Sequence, residues 1–352
     1  MKHQLETNEH QQQPMTVETL HQDGTIEDEN NENENNTIIT LTADEFSKTG
    51  LKLVGYKRHR IRRAQKISNV ERFVGHYGSI PCICASIWED LQTTAVEEAR
   101  IPAEHLNVAF FLMAMHHLKR YPTEVEREGI FDISLKWGRD KVWYYVEKIQ
   151  ALKAQKIVWP ADNFGDDIWA LTVDGTHCWI REPQHPVWSQ DPEWYSHKFN
   201  KAGINYELGI SISQNRLVWM NGPFKAGLND ITIFTNKGLK EKLRANGKKA
   251  IGDGGYSGHS QQISTPNSHD SKQVKKFKSR ALKRQEKFNG MTKNFDCLSG
   301  RFRHSVARFQ NCLEAVCVIC QYQIENDRPL YDVLIDDLME GRIFDFIELF
   351  PV

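Results

Sequence analysis

Two aspartates lie beside glycine in apolar segments, a placement that suits metal-dependent chemistry. Asp174 lies within 168–180 (IWALTVDGTHCWI), and Asp253 lies within 251–256 (IGDGGY). A carboxylate in a buried strand costs free energy unless a partner neutralises it. Two carboxylates that share a site repel each other unless a divalent cation lies between them, and oxygen ligands favour Mg²⁺ or Mn²⁺. The alternative is structural: Asp-Gly is a common turn dipeptide, and either aspartate taken alone fits a turn or a cap better.

A third acidic residue lies in a strongly basic region. Residues 272–293 contain nine lysines and arginines, and Glu286 is the only acidic residue between Asp270 and Asp296. A single carboxylate in a cationic helix can simply balance charge. It can equally be a third metal ligand among groups that hold phosphates, and the sequence alone leaves both interpretations open.

The apolar patterns around these acids predict an α/β fold. Residues 168–180, 206–213 and 216–224 are rich in β-branched and aromatic residues, with a turn near Gln214–Asn215. Asp230 can cap a helix over Ile231–Leu243, and a fourth strand follows over 248–255. Three strands, a crossover helix and a parallel strand are the topology of the ribonuclease-H-like fold. The handedness rule places the last strand beside the first, so we expect Asp174 and Asp253 to face the same edge of the sheet.

Four motifs in this order resemble those of one family. They are 174–177 (DGTH), 227–231 (GLNDI), 252–256 (GDGGY) and 284–286 (RQE) followed by Asn289 and Lys293. Together they resemble the DDE-type endonuclease domain of Harbinger-like transposases, over about residues 165–325. The separations of Glu286 from Asp253 and from Lys293 are those of that family. The chain departs from it at Leu282, where the family commonly has Arg, and at Gln285, where it often has His.

The resemblance implies a metal-dependent DNA endonuclease or transposase with a mixed five-stranded, ribonuclease-H-like sheet flanked by helices. Asp174, Asp253 and Glu286 would be the catalytic residues and would bind two Mg²⁺ or Mn²⁺ ions in a two-metal mechanism. Asp230 would be an accessory carboxylate, although we favour a helix cap for it. His177 would contact a phosphate or move a proton, with a packed histidine as an equal alternative. The predicted DNA-binding residues in this part of the chain are Arg280, Arg284, Lys287 and Lys293.

The region before the predicted sheet reads as helical. Residues 84–155 carry apolar residues at helical spacing, which is compatible with a small helix-turn-helix DNA-binding domain, although helical hairpins often have no such role. A basic segment at 56–66 predicts either a phosphate-binding or nuclear-import strip or a solvated helix face. Its predicted DNA-binding residues are Lys57, Arg58, Arg60, Arg62 and Arg63.

Charge is unevenly distributed along the 352 residues. Residues 1–36 hold nine of the 46 acidic residues but only one of the 45 basic ones, so the rest of the chain is cationic by about seven charges and suits a polyanionic partner. The first segment, rich in Asn, Gln and Glu, predicts disorder. We therefore expect a disordered acidic tail (1–40), a basic and helical DNA-binding domain (41–160), the endonuclease domain (165–327) and an acidic amphipathic segment (328–352).

The sequence also excludes several classes. No apolar run approaches the ~18 residues of a membrane helix, the N-terminus does not resemble a secretory signal, and seven cysteines do not predict a disulfide framework. Cys317 and Cys320 lie in an apolar helical stretch and are interpreted as core residues. These features predict a nuclear protein, or a cytoplasmic one in a prokaryote.

The expected partners are DNA at transposon ends and at the target. The sequence leaves open a homodimer and a separate DNA-binding partner protein. It also leaves open whether Trp188, Trp194, Tyr195 and Phe199, near Lys198 and Lys201, stack on unpaired bases or pack a loop against the sheet. Two rival functions remain: a catalytically inactive, co-opted DNA-binding protein of the same descent, and a protein-interaction scaffold.

Overall fold

A computed structural model describes residues 38–56, 67–182, 191–196 and 198–333. Its N-terminal part is helical, as predicted for 84–155, and several helices begin at a side-chain cap. Thr42, Ser68 and Thr123 each form a capping box with a glutamate three residues later. The helices of this part are α1 (Ala43–Leu53), α2 (Asn69–Tyr77), α3 (Pro81–Thr93), α4 (Val108–Arg120), α5 (Glu124–Phe131), α6 (Leu135–Ala151) and α7 (Lys153–Lys156).

A mixed sheet of six strands follows, flanked by helices. In the sheet β3 pairs antiparallel with β1, and β4 and β2 both pair antiparallel with β3; on the other side of β1, β5 and then β6 pair parallel. The strands are β1 (Trp169–Trp179), β2 (Tyr195–Ser196), β3 (Lys201–Ser211), β4 (Leu217–Lys225), β5 (Lys249–Ile251) and β6 (Ile263–Ser264).

This topology confirms the predicted order of three strands, a crossover and a parallel strand beside the first. It differs in two details. The predicted helix over 231–243 is two helices, α8 (Asp230–Asn236) and α9 (Leu239–Ala245), because Gly238 between them adopts a φ of 105°, which glycine tolerates without a Cβ penalty. The sheet has six strands, whereas the resemblance implied five and the apolar patterns predicted four, because the two-residue strands β2 and β6 carry too few residues for a periodic signal.

The two faces of β1 pack against different helices because side chains alternate along a strand. Leu171 and Val173 lie in one apolar cluster with residues of α8 and α9. The opposite face meets α10 (Lys272–Lys293), where Thr172 Oγ1 donates a hydrogen bond to Gln285 Oε1 at 2.7 Å. Two further helices complete the described chain: α11 (Asp296–Ser299) and α12 (Val306–Asn326).

Helix α12 is buried along most of its length and links the helical part to the sheet. It packs against α3, α6, α7, α10 and β4. Cys317 and Cys320 on it are buried free thiols, which confirms their interpretation as core residues. In the described part of the chain, no helix is both long and apolar enough to span a bilayer.

Arg284 fastens α10 to the end of the β3–β4 hairpin. Its guanidinium donates to the carbonyl oxygen of Ile212 at 2.5 Å, to that of Gln214, and to Asn215 Oδ1 at 3.1 Å. The side chain is 2% exposed, and burial lowers its pKa to about 10. This placement corrects the expectation that Arg284 binds DNA: its donors are used inside the protein, because three acceptors of the hairpin turn lie within its reach.

We expect Arg284→Ala to lower the free energy of unfolding by about 2–4 kcal/mol, since it leaves hairpin carbonyls without their donor and opens a cavity. Urea unfolding followed by circular dichroism measures this loss. The exposed neighbour Lys283, changed to Ala, is the matched control and should leave stability almost unchanged. Equal stability of the two variants would contradict the structural role of Arg284.

Candidate active site

Asp174 and Asp253 meet at one edge of the sheet. Asp174 lies in β1, and Asp253 follows Ile251, the last residue of β5, by two positions. Because β1 and β5 are parallel, with Thr172 opposite Ile251, Asp174 and Asp253 each lie two residues beyond this pair, which brings them together as the sequence predicted. Asp253 Oδ1 also accepts a hydrogen bond from the backbone N–H of Gly255 at 2.8 Å, which fixes the turn after the strand.

Asp230 joins these two aspartates, although we favoured a helix cap for it. Asn229 is the N-cap of α8, and Asp230 is the first residue of the helix. Its Oδ1 accepts a hydrogen bond from Asn205 Nδ2 on β3 at 3.0 Å. Gly175 makes room for the carboxylate, since a Cβ at this position would collide with Asp230 Oδ1. The cap interpretation is therefore wrong, because the preceding asparagine takes that position.

The charges of the three aspartates act on one another. The pKa of Asp174 is raised to about 7, first by burial and then by the negative charges of Asp230 and Asp253. Burial also raises the pKa of Asp230; the charge of Asp253 adds to this, while the hydrogen bond from Asn205 and the charge of Lys198 oppose it. Burial and nearby like charge both disfavour ionisation. We call Asp174, Asp230 and Asp253 the acidic cluster.

Helix α10 holds Asp174 through an asparagine. Asn289 Nδ2 donates to Asp174 Oδ2 at 2.8 Å, and Asn289 Oδ1 accepts from Thr176 Oγ1 at 3.1 Å. One turn earlier, Gln285 accepts from Thr172 and donates to the carbonyl oxygen of Leu208 at 3.3 Å. These bonds fix the rotation of α10 over β1. Gln285, a departure from the family pattern, is thus an internal hydrogen-bonding residue.

Glu286 is not part of the acidic cluster. Its side chain is exposed on α10, and its charge acts on Tyr331. Viewed down the axis of α10, Glu286 is rotated by about 60° from Asn289 and by about 20° from Lys293. Both of those residues line a cleft beside the acidic cluster. Among the described residues, no three His, Cys, Asp or Glu side chains are placed to hold one metal ion together. The structure therefore does not bring Glu286 to Asp174 and Asp253, and its role as a ligand stays a prediction.

His177 lies on the same face of β1 as Gly175, at the wall of the site. Its ring stacks on Phe199 with centroids 4.9 Å apart, and its Nε2 is buried with no hydrogen-bond partner among the described residues. Burial, followed by the charges of Lys293 and Lys198, lowers its pKa to about 4. His177 is therefore neutral at physiological pH, and its role in phosphate binding or proton transfer stays a prediction.

The other predicted DNA-binding residues on α10 form contacts within the protein. Lys293 Nζ donates to the carbonyl oxygen of His177 at 2.6 Å and to Cys178 Sγ at 2.7 Å. Arg280 donates to the carbonyl oxygen of Asp332 and Lys287 to that of Pro329, both at 3.0 Å. Lys287 is nevertheless exposed and Arg280 is half-buried, and the contact of both with DNA stays a prediction. The predicted residues Lys57, Arg58, Arg60, Arg62 and Arg63 lie outside the described residues.

An open cleft of about 580 Å³ lies beside the acidic cluster. It is bounded by β1, by the start of α8 and by α10, and the exposed Lys198 contributes a positive charge. That charge lowers the pKa of both Asp174 and Asp230. Sequence reasoning missed Asn205 as a partner of Asp230, since an isolated amide carries no motif, and it named Asn289 in the fourth motif without assigning it to Asp174. The residues that line the cleft include Gly175, His177, Lys198, Phe199, Asp230 and Lys293.

Comparison with known proteins assigns the domain that carries this site. Residues 173–321 match the model of the DDE superfamily endonuclease family, so the chain contains a DDE-type transposase domain over this range. This match confirms the resemblance inferred from the four motifs, and it includes all three aspartates and Glu286. No curated protein and no solved structure matched the chain.

Glu207 is a further buried carboxylate that the sequence analysis missed. It lies opposite Gly175 in the β1–β3 ladder and is 1% exposed. Trp219 Nε1 donates to its Oε2 at 2.8 Å, whereas Oε1 has no partner among the described residues. The pKa of Glu207 is raised to about 7, mainly by burial and also by the charge of Asp230, while the hydrogen bond from Trp219 opposes both.

We expect Glu207→Gln to stabilise the protein at alkaline pH. Since the folded pKa of Glu207 lies above its unfolded value of about 4.3, the wild type loses stability as pH rises from about 4 through 7. The glutamine keeps an acceptor for Trp219 and does not ionise, so the variant should gain up to about 3 kcal/mol at pH 8 and much less at pH 5. Urea unfolding at both pH values, in EDTA, measures the difference. An equal effect at the two pH values would show that ionisation of Glu207 is not the cause.

Proposed function

We propose that this protein is a transposase-type DNA nuclease that cleaves phosphodiester bonds with divalent metal ions. The observation that carries the proposal is the convergence of three aspartates within the domain that matches the family: one lies within β1, one just after its parallel neighbour β5, and one at the start of α8. The raised pKa of Asp174 supports it, because perturbed carboxylates cluster at functional sites.

The strand arrangement supports a ribonuclease-H-like fold for this domain. Counted without the short strand β2, the strands lie side by side in the order third, second, first, fourth, fifth, with antiparallel pairs on one side of β1 and parallel pairs on the other. The first four strands in this order are those predicted from the sequence, and the order puts β1, which carries Asp174, at the centre of the sheet.

The acidic cluster fits a hard divalent cation by its chemistry. Its donors are carboxylate oxygens that repel one another, and a cation would relieve that repulsion. Asn205 Oδ1 is a further oxygen beside the cluster, buried and without a hydrogen-bond partner among the described residues. Mg²⁺ commonly uses one or two protein carboxylates, with water and substrate phosphate as its remaining ligands. Asp174 and Asp253 would hold the ion, with Asp230 beside them.

Bound metal would activate the attacking water and stabilise the leaving oxygen of the phosphodiester. The residues of the chain have separate tasks. Asn289 orients Asp174, and Asn205 orients Asp230, so that both carboxylates are held in place before substrate arrives. Lys198 supplies positive charge at the cleft for a phosphate. Lys293 donates hydrogen bonds to His177 and Cys178, so it stabilises the wall of the cleft and does not bind DNA.

The position of Glu286 allows two versions of this site. In one, Glu286 remains outside and the three aspartates form the catalytic set. In the other, Glu286 completes the predicted trio with Asp174 and Asp253 after α10 or its side chain moves when DNA and metal bind. Its location on the cleft side of α10, near Asn289 and Lys293 around the helix, supports the second version.

An inactive, co-opted DNA-binding protein is the second candidate function. The observation that favours it is the exposed position of Glu286, away from the acidic cluster. Such a protein would retain the fold and the cationic surface without cleaving DNA. The nuclear location, a homodimer and a separate DNA-binding partner stay predictions from the sequence.

We expect the full-length protein to nick supercoiled DNA in Mn²⁺, and Asp174→Asn and Asp253→Asn to lower the rate by at least about 100-fold, since removal of even an outer-shell partner commonly costs 10–100-fold. Agarose gels of the plasmid measure nicking. Glu241→Gln, at an exposed residue of α9, is the control and should retain full activity. Wild-type retention of DNA without nicking would favour the inactive DNA-binding protein.

Two more variants distinguish the versions of the site. Asp230→Asn should reduce nicking as strongly as Asp174→Asn if the aspartates act as the set, while Glu286→Gln should then remain active. Loss of nicking in Glu286→Gln, with a normal unfolding transition, would establish that Glu286 reaches the site in the complex.

A further inference from the structure

Aromatic side chains and cations alternate along the face of β1 that leads away from the acidic cluster. Gly175, His177 and Trp179 lie on this face because side chains alternate along the strand. Beside Gly175 is the carboxylate of Asp230, and beside His177 is the ring of Phe199. The face therefore runs from the proposed site of cleavage to the end of the strand.

Phe199 and Trp179 both offer exposed ring surface to solvent. Phe199 is 49% exposed and Trp179 is 37% exposed. The buried side of Phe199 rests on His177, whose position depends on Gly203, since a Cβ there would collide with the imidazole ring. The aromatic ring is thus supported from below and open to solvent above.

Three cations lie beside these rings. Lys198 Nζ is 5.6 Å from the ring centre of Phe199, Lys201 Nζ is 4.3 Å from that of Trp179, and Arg301 Cζ is 5.7 Å from the same centre. Among the described residues, none of the three forms an ion pair with a carboxylate. Nearby Asp191 and Glu193 are instead paired with Lys225. A phosphate can therefore bind all three cations without breaking an ion pair of the described chain.

We propose that a single strand of DNA binds along this face as it leaves the acidic cluster. Unpaired bases stack on Phe199 and Trp179, and Lys198, Lys201 and Arg301 hold the backbone; we call these five residues the stacking strip. Open aromatic faces interleaved with cations are the pattern of single-strand binding, because every base has a π-face that stacks on such rings. In a duplex the base faces are already stacked and unavailable to these rings. The choice of DNA as the ligand rests on the proposed nuclease function.

The test measures binding separately from cleavage. Full-length protein with Asp174→Asn, in EDTA, is titrated into a fluorescein-labelled oligothymidylate and into a labelled duplex of equal length, and anisotropy gives both affinities. Trp179→Ala and Phe199→Ala should each weaken single-strand binding by about 5- to 100-fold and duplex binding by less than about twofold. Trp179→Phe keeps a ring and should retain most of the single-strand affinity.

The control is an exposed tryptophan elsewhere in the chain. Trp137 on α6 is 51% exposed and has Lys141 Nζ 4.7 Å from its ring centre, so it matches Trp179 in exposure and in its neighbouring cation. Trp137→Ala should leave single-strand affinity unchanged. A charge variant adds a second measurement: Lys201→Gln should weaken binding and reduce the dependence of log K on log salt by about 0.7.

The inference fails if Trp179→Ala and Phe199→Ala leave single-strand affinity unchanged, or if they weaken duplex binding equally. Its failure is distinguishable from failure of the proposed function. If nicking depends on Asp174 but the variants of the stacking strip leave single-strand affinity unchanged, only the proposal of the stacking strip is overturned. Ring-dependent single-strand binding by a protein that does not nick would overturn only the nuclease.

Discussion

Electrostatic repulsion among buried carboxylates is the constraint on which the rest of the site depends. Asp174, Asp230 and Asp253 come from three separate elements, yet each lies close enough to change the ionisation of another. Such an arrangement costs free energy in a fold with no compensating cation. The fold nevertheless keeps the carboxylates together. The strands position Asp174 and Asp253, the missing side chain of Gly175 leaves room for Asp230, and the amides of Asn205 and Asn289 hold Asp230 and Asp174 in place.

The same elements explain why the domain depends on its flanking helices. Helix α10 orients Asp174 through Asn289 and is itself held to the hairpin by Arg284. Helix α12 then packs the sheet against the N-terminal helices. One buried group joins them: Glu314 on α12 pairs with Lys153 of α7 and accepts from Gln150 of α6 at 2.5 Å. The position of the acidic cluster is thus tied to residues far from it in sequence.

Sequence periodicity and motif spacing could predict much of this architecture, because both are local properties. The strand order and the meeting of Asp174 with Asp253 follow from apolar runs and one handedness rule. The role of Asp230 could not be predicted from the sequence. An aspartate before an apolar helical pattern fits both an N-cap and a site residue, and only the structure shows that Asn229 is the N-cap. The orientation of Glu286 and the use of Arg284 depend on the rotation of α10, which is fixed by long-range bonds to Thr172 and Ile212.

The ionisation of Asp174 tests the central claim most directly. Carbon-13 NMR of labelled carboxyl groups, with Asp174 assigned by its absence in Asp174→Asn, gives its pKa in metal-free protein. The structure predicts a pKa of about 7, which falls when Asp230 or Asp253 is changed to Asn, because each removes a repelling charge. A pKa near the ordinary value, unaffected by either substitution, would show that the three aspartates do not form one cluster.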